Sequence, residues 1–138
     1  MASGQTKHYG LNQWQAGDHV LREEFNEDNA KIDAALAQVP VFVAGTYVGT
    51  GEGNRTINLG GPPKMVYVCD GVGRTVNSKY YYGGMALPGH PTMIANANLP
   101  VLELCDTGFI VHRLYSDPYL SYAYSNESGM TYHYLAVL

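Results

Sequence analysis

The segment from Asp18 to Val39 carries the pattern of one amphipathic helix, and Pro40 directly after it marks where that helix ends. Proline disfavours the helical conformation in the residue that precedes it. Asp18 follows Gly17 and has a side chain suited to cap the N-terminus of the helix. The apolar stripe has a four-then-three spacing, is interrupted by an aspartate, and comprises Leu21, Phe25, Asp28, Ile32, Ala35 and Val39.

This narrow stripe fits a coiled coil better than a helix face packed on a globular core. A helix of about 20 residues is marginal in water unless its stripe is buried. We therefore predict that residues 18–39 form a trimeric coiled coil with the stripe as its interface. Asp28 would fix the register at a cost in stability. The alternative is a helix that folds back on its own β domain.

The period of the apolar residues changes from that of a helix to that of a strand at Val41. Turn signals then recur about every 8–12 residues, which is typical of an antiparallel β-sandwich or a small barrel. The sequence thus predicts a mainly β chain, with an N-terminal helix and a C-terminal antiparallel β-sandwich knob at residues 41–138. Strands are expected at 41–49, 56–59, 64–69, 79–87, 101–105, 108–114 and 131–138, and a loop or irregular hairpin at 115–130.

The first 17 residues are polar and irregular but carry Tyr9, Leu11 and Trp14. Exposed tails do not normally hold such side chains, so we expect them to dock, either on the helix bundle or on another protein. We predict that residues 1–17 are an attachment arm. A short extended arm that wraps its own trimer is the alternative.

Charge and composition exclude several classes of protein. Charged residues make up 14% of the chain, and the 8 Lys+Arg are scattered within a net charge of −4, which argues against a nucleic-acid partner. No apolar run approaches the ~20 residues of a membrane span, and the opening residues lack a signal-peptide core. We therefore expect synthesis in the cytoplasm and no membrane insertion. Cytoplasmic synthesis favours Cys69 and Cys105 as two buried free thiols, and a disulfide between them is the alternative.

No motif predicts catalysis, a metal or a cofactor. The sequence has no GxSxG, HExxH or P-loop pattern, and its carboxylates are dispersed. His112 and His133 lie in predicted strands without an HxH pair, so partly exposed strand histidines are the better interpretation. We expect no enzyme and no metal site.

Tyrosine among small polar residues is the informative feature of the segment 115–132. Rigid amphipathic rings beside adaptable hydrogen-bonding groups are typical of binding surfaces, and such rings also line subunit interfaces. Tyr80, Tyr81 and Tyr82 repeat the same ambiguity. The candidate receptor-binding residues are Tyr115, Asp117, Tyr119, Tyr122, Tyr124 and Asn126.

Two parts of the chain resemble one family. The opening TKHYGLNQWQAGDHVLREEFNEDNAKIDAALA resembles the N-terminal segment of tail-fibre and tail-associated proteins of phages and prophages of Gram-positive bacteria. The stretch GTYVGTGEGNRTINLGGPPKMVYV, the GF-V strand at 108–111 and the Y-YLA ending at 132–136 resemble the distal domain of the same proteins. The chain departs from the pattern because it has no long shaft between helix and knob.

The resemblance implies a homotrimer on the virion, made in the bacterial host cytoplasm. Its N-terminus, through Tyr9, Leu11 and Trp14, would attach to other virion structural proteins. Its distal knob would bind a bacterial surface glycan or protein. The alternative is a structural decoration or adaptor protein of the head, neck or baseplate without host-receptor contact.

Overall fold

The structure is a computed structural model that describes residues 1–95, 97–116 and 120–138, without the side chain of residue 116. It is mainly β, with a single helix among the described residues, which confirms the predicted class. The chain divides into two compact units, Met1–Pro40 and Val41–Leu138. No helix within the described ranges is long and apolar enough to span a membrane.

The N-terminal unit contains a short hairpin and the helix. Strands β1 (Gly4–Gln5) and β2 (Asn12–Gln13) pair antiparallel, and α1 spans Arg22–Leu36. The helix is shorter than predicted, because it begins after Leu21, which provides no side-chain cap. Beyond its last turn the N–H of Val39 donates to the carbonyl of Leu36 at 3.1 Å, and Pro40 follows.

Asp18 does not cap the helix, so that prediction was wrong. Its carboxylate instead accepts hydrogen bonds from the backbone N–H of Ser3 at 2.9 Å and of Gln15 at 2.7 Å. The hydrogen bond to Gln15 and those to Ser3 lower the pKa of Asp18. Asp18 therefore ties the arm to the residues before the helix.

The arm docks on the helix of its own chain. The N–H of Asn12 donates to both oxygens of Asp28 at 3.0 Å, and its side-chain amide reaches Asp28 at 3.1 Å. The indole of Trp14 stacks on Phe25 with ring centroids 5.3 Å apart and donates to Glu24 at 2.9 Å. Asp28 is therefore the one buried residue of α1. Its carboxylate has a partner within the chain, a role that helical spacing did not predict.

The C-terminal unit is built from strands β3 to β13. Their bounds are Phe42–Val48 (β3), Asn54–Asn58 (β4), Met65–Asp70 (β5), Val76–Asn77 (β6), Tyr80–Tyr81 (β7), Gly84–Ala86 (β8), Thr92–Met93 (β9), Pro100–Cys105 (β10), Gly108–Ser116 (β11), Ser121–Tyr124 (β12) and Thr131–Val137 (β13). The predicted strand 79–87 is split into β7 and β8. The segment 115–130, predicted to be a loop or an irregular hairpin, contains the end of β11 and the whole of β12, and these two strands pair antiparallel as in a hairpin.

The strands form two sheets. One has the order β3-β13-β5-β8, and the other runs β6-β7-β12-β11-β10-β9 with β4 added to β11. All named pairs are antiparallel except β7 with β12, which is parallel. The predicted antiparallel arrangement therefore holds for the other named pairs and is wrong at this one. A parallel pair needs a long crossover, and here the chain visits β8 to β11 between its two strands.

Both sheets contribute to one hydrophobic core. The four-stranded sheet supplies Val66, Val68 and Tyr132, and the other sheet supplies Phe109 and Val111, all buried. The hydroxyl of Tyr132 donates to the carbonyl oxygen of Tyr124. Burial raises the pKa of Tyr132 far above its usual range.

Two further predictions about burial are corrected. Cys69 and Cys105 are free thiols as expected, but both are only half-buried. His112 is buried rather than partly exposed, and its Nε2 lies 2.7 Å from Oε2 of Glu103.

Replacement of Asp28 by alanine tests how the arm is held. Asp28→Ala removes the acceptor of the Asn12 bonds, and hydrogen bonds to a charged group contribute about 1.5–3 kcal/mol. We expect the arm to detach and the emission of Trp14, the single tryptophan, to shift to longer wavelength. The control is Asp33→Ala, which removes the same charge from an exposed position of α1. Equal emission spectra in the two variants would contradict the contact.

Candidate functional site

Tyrosine rings from three strands meet on the C-terminal unit. The parallel pairing of β7 with β12 places Tyr80 beside Tyr122, and their rings stack 5.1 Å apart at 17°. The pairing of β11 with β12 sets Tyr115 opposite Tyr122, with ring centroids 4.8 Å apart. We call Tyr80, Tyr115, Tyr122 and Tyr124 the tyrosine cluster.

The tyrosine cluster is anchored to the core through Tyr124. Its ring lies 5.1 Å from the ring of Tyr80 and 6.1 Å from that of buried Tyr82. Burial raises the pKa of the Tyr124 hydroxyl, and the nearby Glu127 carboxylate raises it further. Tyr124 therefore stays a neutral phenol. Its contacts hold the rings of Tyr80 and Tyr122 against the core.

One cation lies against the outer part of the cluster. Nζ of Lys79 is 5.6 Å from the ring centroids of both Tyr80 and Tyr122, within the range of cation–π attraction. Arg113 donates instead to Glu127 at 2.6 Å, so these two charges largely offset each other. Lys79 is thus the cation that lies against the rings of the cluster without a carboxylate partner among the described residues.

This geometry suits recognition of a polar ring compound. Tyr115 is 48% exposed, and Tyr80 and Tyr122 are half-buried. Half-exposed rings can stack on the apolar face of a sugar while their hydroxyls bond to sugar hydroxyls. Lys79 adds a site for a carboxylate or phosphate.

The structure brings together only part of the predicted receptor-binding set. Tyr115, Tyr122 and Tyr124 lie in the cluster, whereas Asp117 and Tyr119 fall outside the described residues. The sequence interpretation missed Lys79 as a member. It left the role of Tyr80 open, because the parallel pair that unites Tyr80 with Tyr122 joins distant segments.

The prediction that Asn126 is a binding residue was wrong, because Asn126 is fully buried. Its Oδ1 accepts from the N–H of Thr50 at 3.1 Å, and its Nδ2 donates to the carbonyl of Glu52 at 3.0 Å. A Cβ on Gly49 would come within 2.0 Å of the Glu127 carbonyl oxygen. Asn126 therefore holds the turn after β3 against the chain after β12.

The N-terminal unit exposes most of its predicted interface. Phe25 is 52% exposed, and Leu21, Ile32 and Val39 are also exposed, while Ala35 is half-buried. The predicted attachment residues Tyr9 and Leu11 join the end of this stripe. Together they line a shallow apolar groove of about 180 Å³ formed by Tyr9, Leu11, Ile32, Ala35, Leu36 and Val39. The predicted helix interface and the predicted attachment residues Tyr9 and Leu11 thus form one surface.

The polar side chains near His112 do not form a hydrolytic triad. Oγ of Ser125 accepts from the backbone N–H of His112 at 2.9 Å and donates to the carbonyl of Val101 at 2.6 Å. The imidazole of His112 contacts Glu103 instead. Within the described ranges, no three His, Cys, Asp or Glu side chains are arranged to hold a metal ion.

Comparisons with protein-family models, with curated protein sequences and with solved structures gave no significant match. The resemblance to phage tail proteins therefore remains an expectation from the quoted residues.

The structural role of Asn126 is testable by stability. Asn126→Ala removes the hydrogen bonds from the N–H of Thr50 and to the carbonyl of Glu52, and each such bond contributes about 0.5–1.5 kcal/mol. Urea unfolding followed by circular dichroism should show a lower midpoint. The control Asn77→Ala changes an exposed asparagine on β6 and should leave the midpoint in place. Equal midpoints would contradict the assignment.

Proposed function

We propose that the protein is a homotrimeric appendage of a phage virion that binds a bacterial surface component, glycan or protein, through the tyrosine cluster. In this proposal residues 1–17 contact other virion proteins, the helix trimerises as a coiled coil, and residues 41–138 form a sandwich-like knob. The partly exposed, preassembled set of rings is the observation that carries the proposal.

Preassembly favours binding because little freedom is lost when a ligand arrives. The rings of Tyr80 and Tyr115 both contact that of Tyr122, and Tyr124 contacts Tyr80, Tyr122 and buried Tyr82. A tyrosine side chain has few rotatable bonds and offers a large contact area, as in antibody combining sites. A weak ligand such as a surface sugar benefits most from such a site.

Assembly supplies the affinity that one such site lacks. Burial of an exposed apolar side chain of α1 contributes about 1.5–3 kcal/mol, and the stripe contains several. A trimer carries three copies of the cluster on one particle. When the sites reach the same cell surface, avidity exceeds the affinity of one site by orders of magnitude.

Substitution of Tyr122 tests the binding site. Tyr122→Ala removes the ring that contacts Tyr80, Tyr115 and Tyr124. We expect the fluorescently labelled protein to lose about tenfold or more in apparent affinity for Gram-positive cells, since ~1.4 kcal/mol per site is tenfold. Flow cytometry over a protein dilution series measures this.

Two further variants control the result. Tyr122→Phe keeps the ring and separates stacking from hydrogen bonding, and Val72→Ala alters an exposed residue outside the cluster. Undiminished binding by Tyr122→Ala, with intact assembly, would contradict the proposed site. Binding of the native chain to other virion proteins and to no cell would favour the adaptor alternative.

A further inference from the structure

The tyrosine cluster lies at the open end of the core face of its sheet. Alternate residues of β11 share one face, and on that face Phe109 and Val111 are buried in the core. Farther along the same face, Arg113 and Tyr115 are exposed. The core therefore ends between Val111 and Arg113, and the cluster continues this face of the sheet into solvent.

Four strands each contribute one residue to a continuous row on this face. The register places Asn77 on β6 beside Tyr80 on β7, and it pairs Tyr80 with Tyr122 on β12. Tyr122 in turn lies beside Tyr115 on β11. We call these four residues the tyrosine row. Neighbouring strands are ~4.8 Å apart, so the row is about 14 Å long. This length exceeds that of one sugar ring and suits a short segment of a glycan chain.

The composition of the tyrosine row favours a glycan over a protein as the ligand. Each of its side chains ends in a hydroxyl or an amide, and the row contains no aliphatic residue. The centre of a protein–protein interface is normally more apolar than the rest of the surface. A sugar instead offers an apolar C–H face ringed by hydroxyls, which matches aromatic rings that carry their own hydroxyls.

The charged groups near the tyrosine cluster leave one positive charge unpaired. Arg113 pairs with Glu127 at 2.6 Å. Arg74, whose guanidinium lies over a neighbouring tyrosine ring, pairs with Asp70 at 2.8 Å. Lys79 forms no ion pair with any residue that the structure describes. These described groups therefore sum to a positive charge, although the net charge of the whole chain is −4.

Lys79 lies where one sugar can contact both its ammonium and a ring. Its Nζ is 5.6 Å from the ring centroids of Tyr80 and Tyr122. A sugar that packs against either ring has its substituents within reach of this ammonium. A carboxylate or phosphate at that position would form a charge-assisted hydrogen bond, which is about twice as strong as a neutral one. An acidic substituent therefore suits the position better than a hydroxyl.

We infer that the ligand of the tyrosine cluster is a segment of an acidic glycan. Its sugar rings lie along the tyrosine row, and a carboxylate or phosphate on one sugar pairs with Lys79. This inference rests on the proposed function, because it specifies the ligand of the same site. It excludes a neutral glycan and a protein as that ligand.

Substitution of Lys79 tests the charge. Lys79→Gln in the full chain removes the ammonium and keeps a polar side chain. We expect binding to Gram-positive cells, measured by flow cytometry over a protein dilution series, to weaken by about tenfold or more, because a hydrogen bond to a charged group is lost. The control Lys64→Gln removes the same charge from an exposed position outside the cluster and should bind like the native protein.

The dependence of binding on salt separates an ion pair with the ligand from a packing role of Lys79. Salt screens exposed charges, so the apparent affinity of the native protein should fall as the NaCl concentration rises. Lys79→Gln should show a weaker dependence. A lysine that only packs on the rings would change the affinity without changing this dependence. Thermal unfolding verifies that the variant is folded.

Chemical treatment of the cells identifies the acidic group. Amidation of surface carboxylates with a carbodiimide and a neutral amine should abolish binding if the glycan carries a carboxylate. Cold hydrofluoric acid, which cleaves phosphodiesters, should abolish binding if the glycan carries a phosphate. Digestion of the cells with proteinase K should leave binding intact.

Three results would overturn the inference. The first is a folded Lys79→Gln protein that binds like Lys64→Gln. The second is binding of the native protein that survives both amidation and hydrofluoric acid. The third is loss of binding after proteinase digestion, which would indicate a protein ligand. In each case, weaker binding by Tyr122→Ala would still support the tyrosine cluster as the site, whereas a native chain that binds no cell would contradict both proposals.

Discussion

Successive side chains of a β-strand point to opposite faces of its sheet, and in β5 and β13 both faces are apolar. Val66, Val68 and Tyr132 point into the core, while Tyr67 and Leu135 point out. The inward set holds the two sheets together. The outward set stays exposed, so the same alternation that builds the domain also leaves apolar side chains at the surface.

The N-terminal unit also leaves apolar side chains exposed, here along a helix rather than on a sheet. Its arm satisfies Asp28 and covers part of Phe25 with Trp14, yet the apolar stripe of α1 stays exposed. Both units thus complete their local packing and leave apolar side chains exposed. The tyrosine cluster differs, because its rings are partly exposed beside Lys79. A surface that combines hydroxyls, rings and a cation suits reversible binding of a polar ligand.

The local sequence pattern predicted the secondary-structure elements. Contacts between distant segments determine which side chains form the tyrosine cluster. Alternation along the chain located β3, β5, β10 and β13 within a residue or two. It could not predict the parallel pairing of β7 with β12, which brings Tyr80 to Tyr122, because that contact joins distant segments. Asn126 was misassigned because a buried and an exposed turn asparagine are alike in sequence. Helical spacing placed Asp28 on the apolar stripe of α1. It could not predict that the hydrogen-bond partner of Asp28 is Asn12, because Asn12 lies in the arm.

In the proposed trimer, copies of this chain cover the apolar stripe that each helix exposes. Sedimentation equilibrium of the full chain at micromolar concentration measures this most directly. We expect a particle with three times the mass of the 15.1 kDa chain, with the single-chain species appearing only on dilution. A single-chain mass throughout the micromolar range would contradict it.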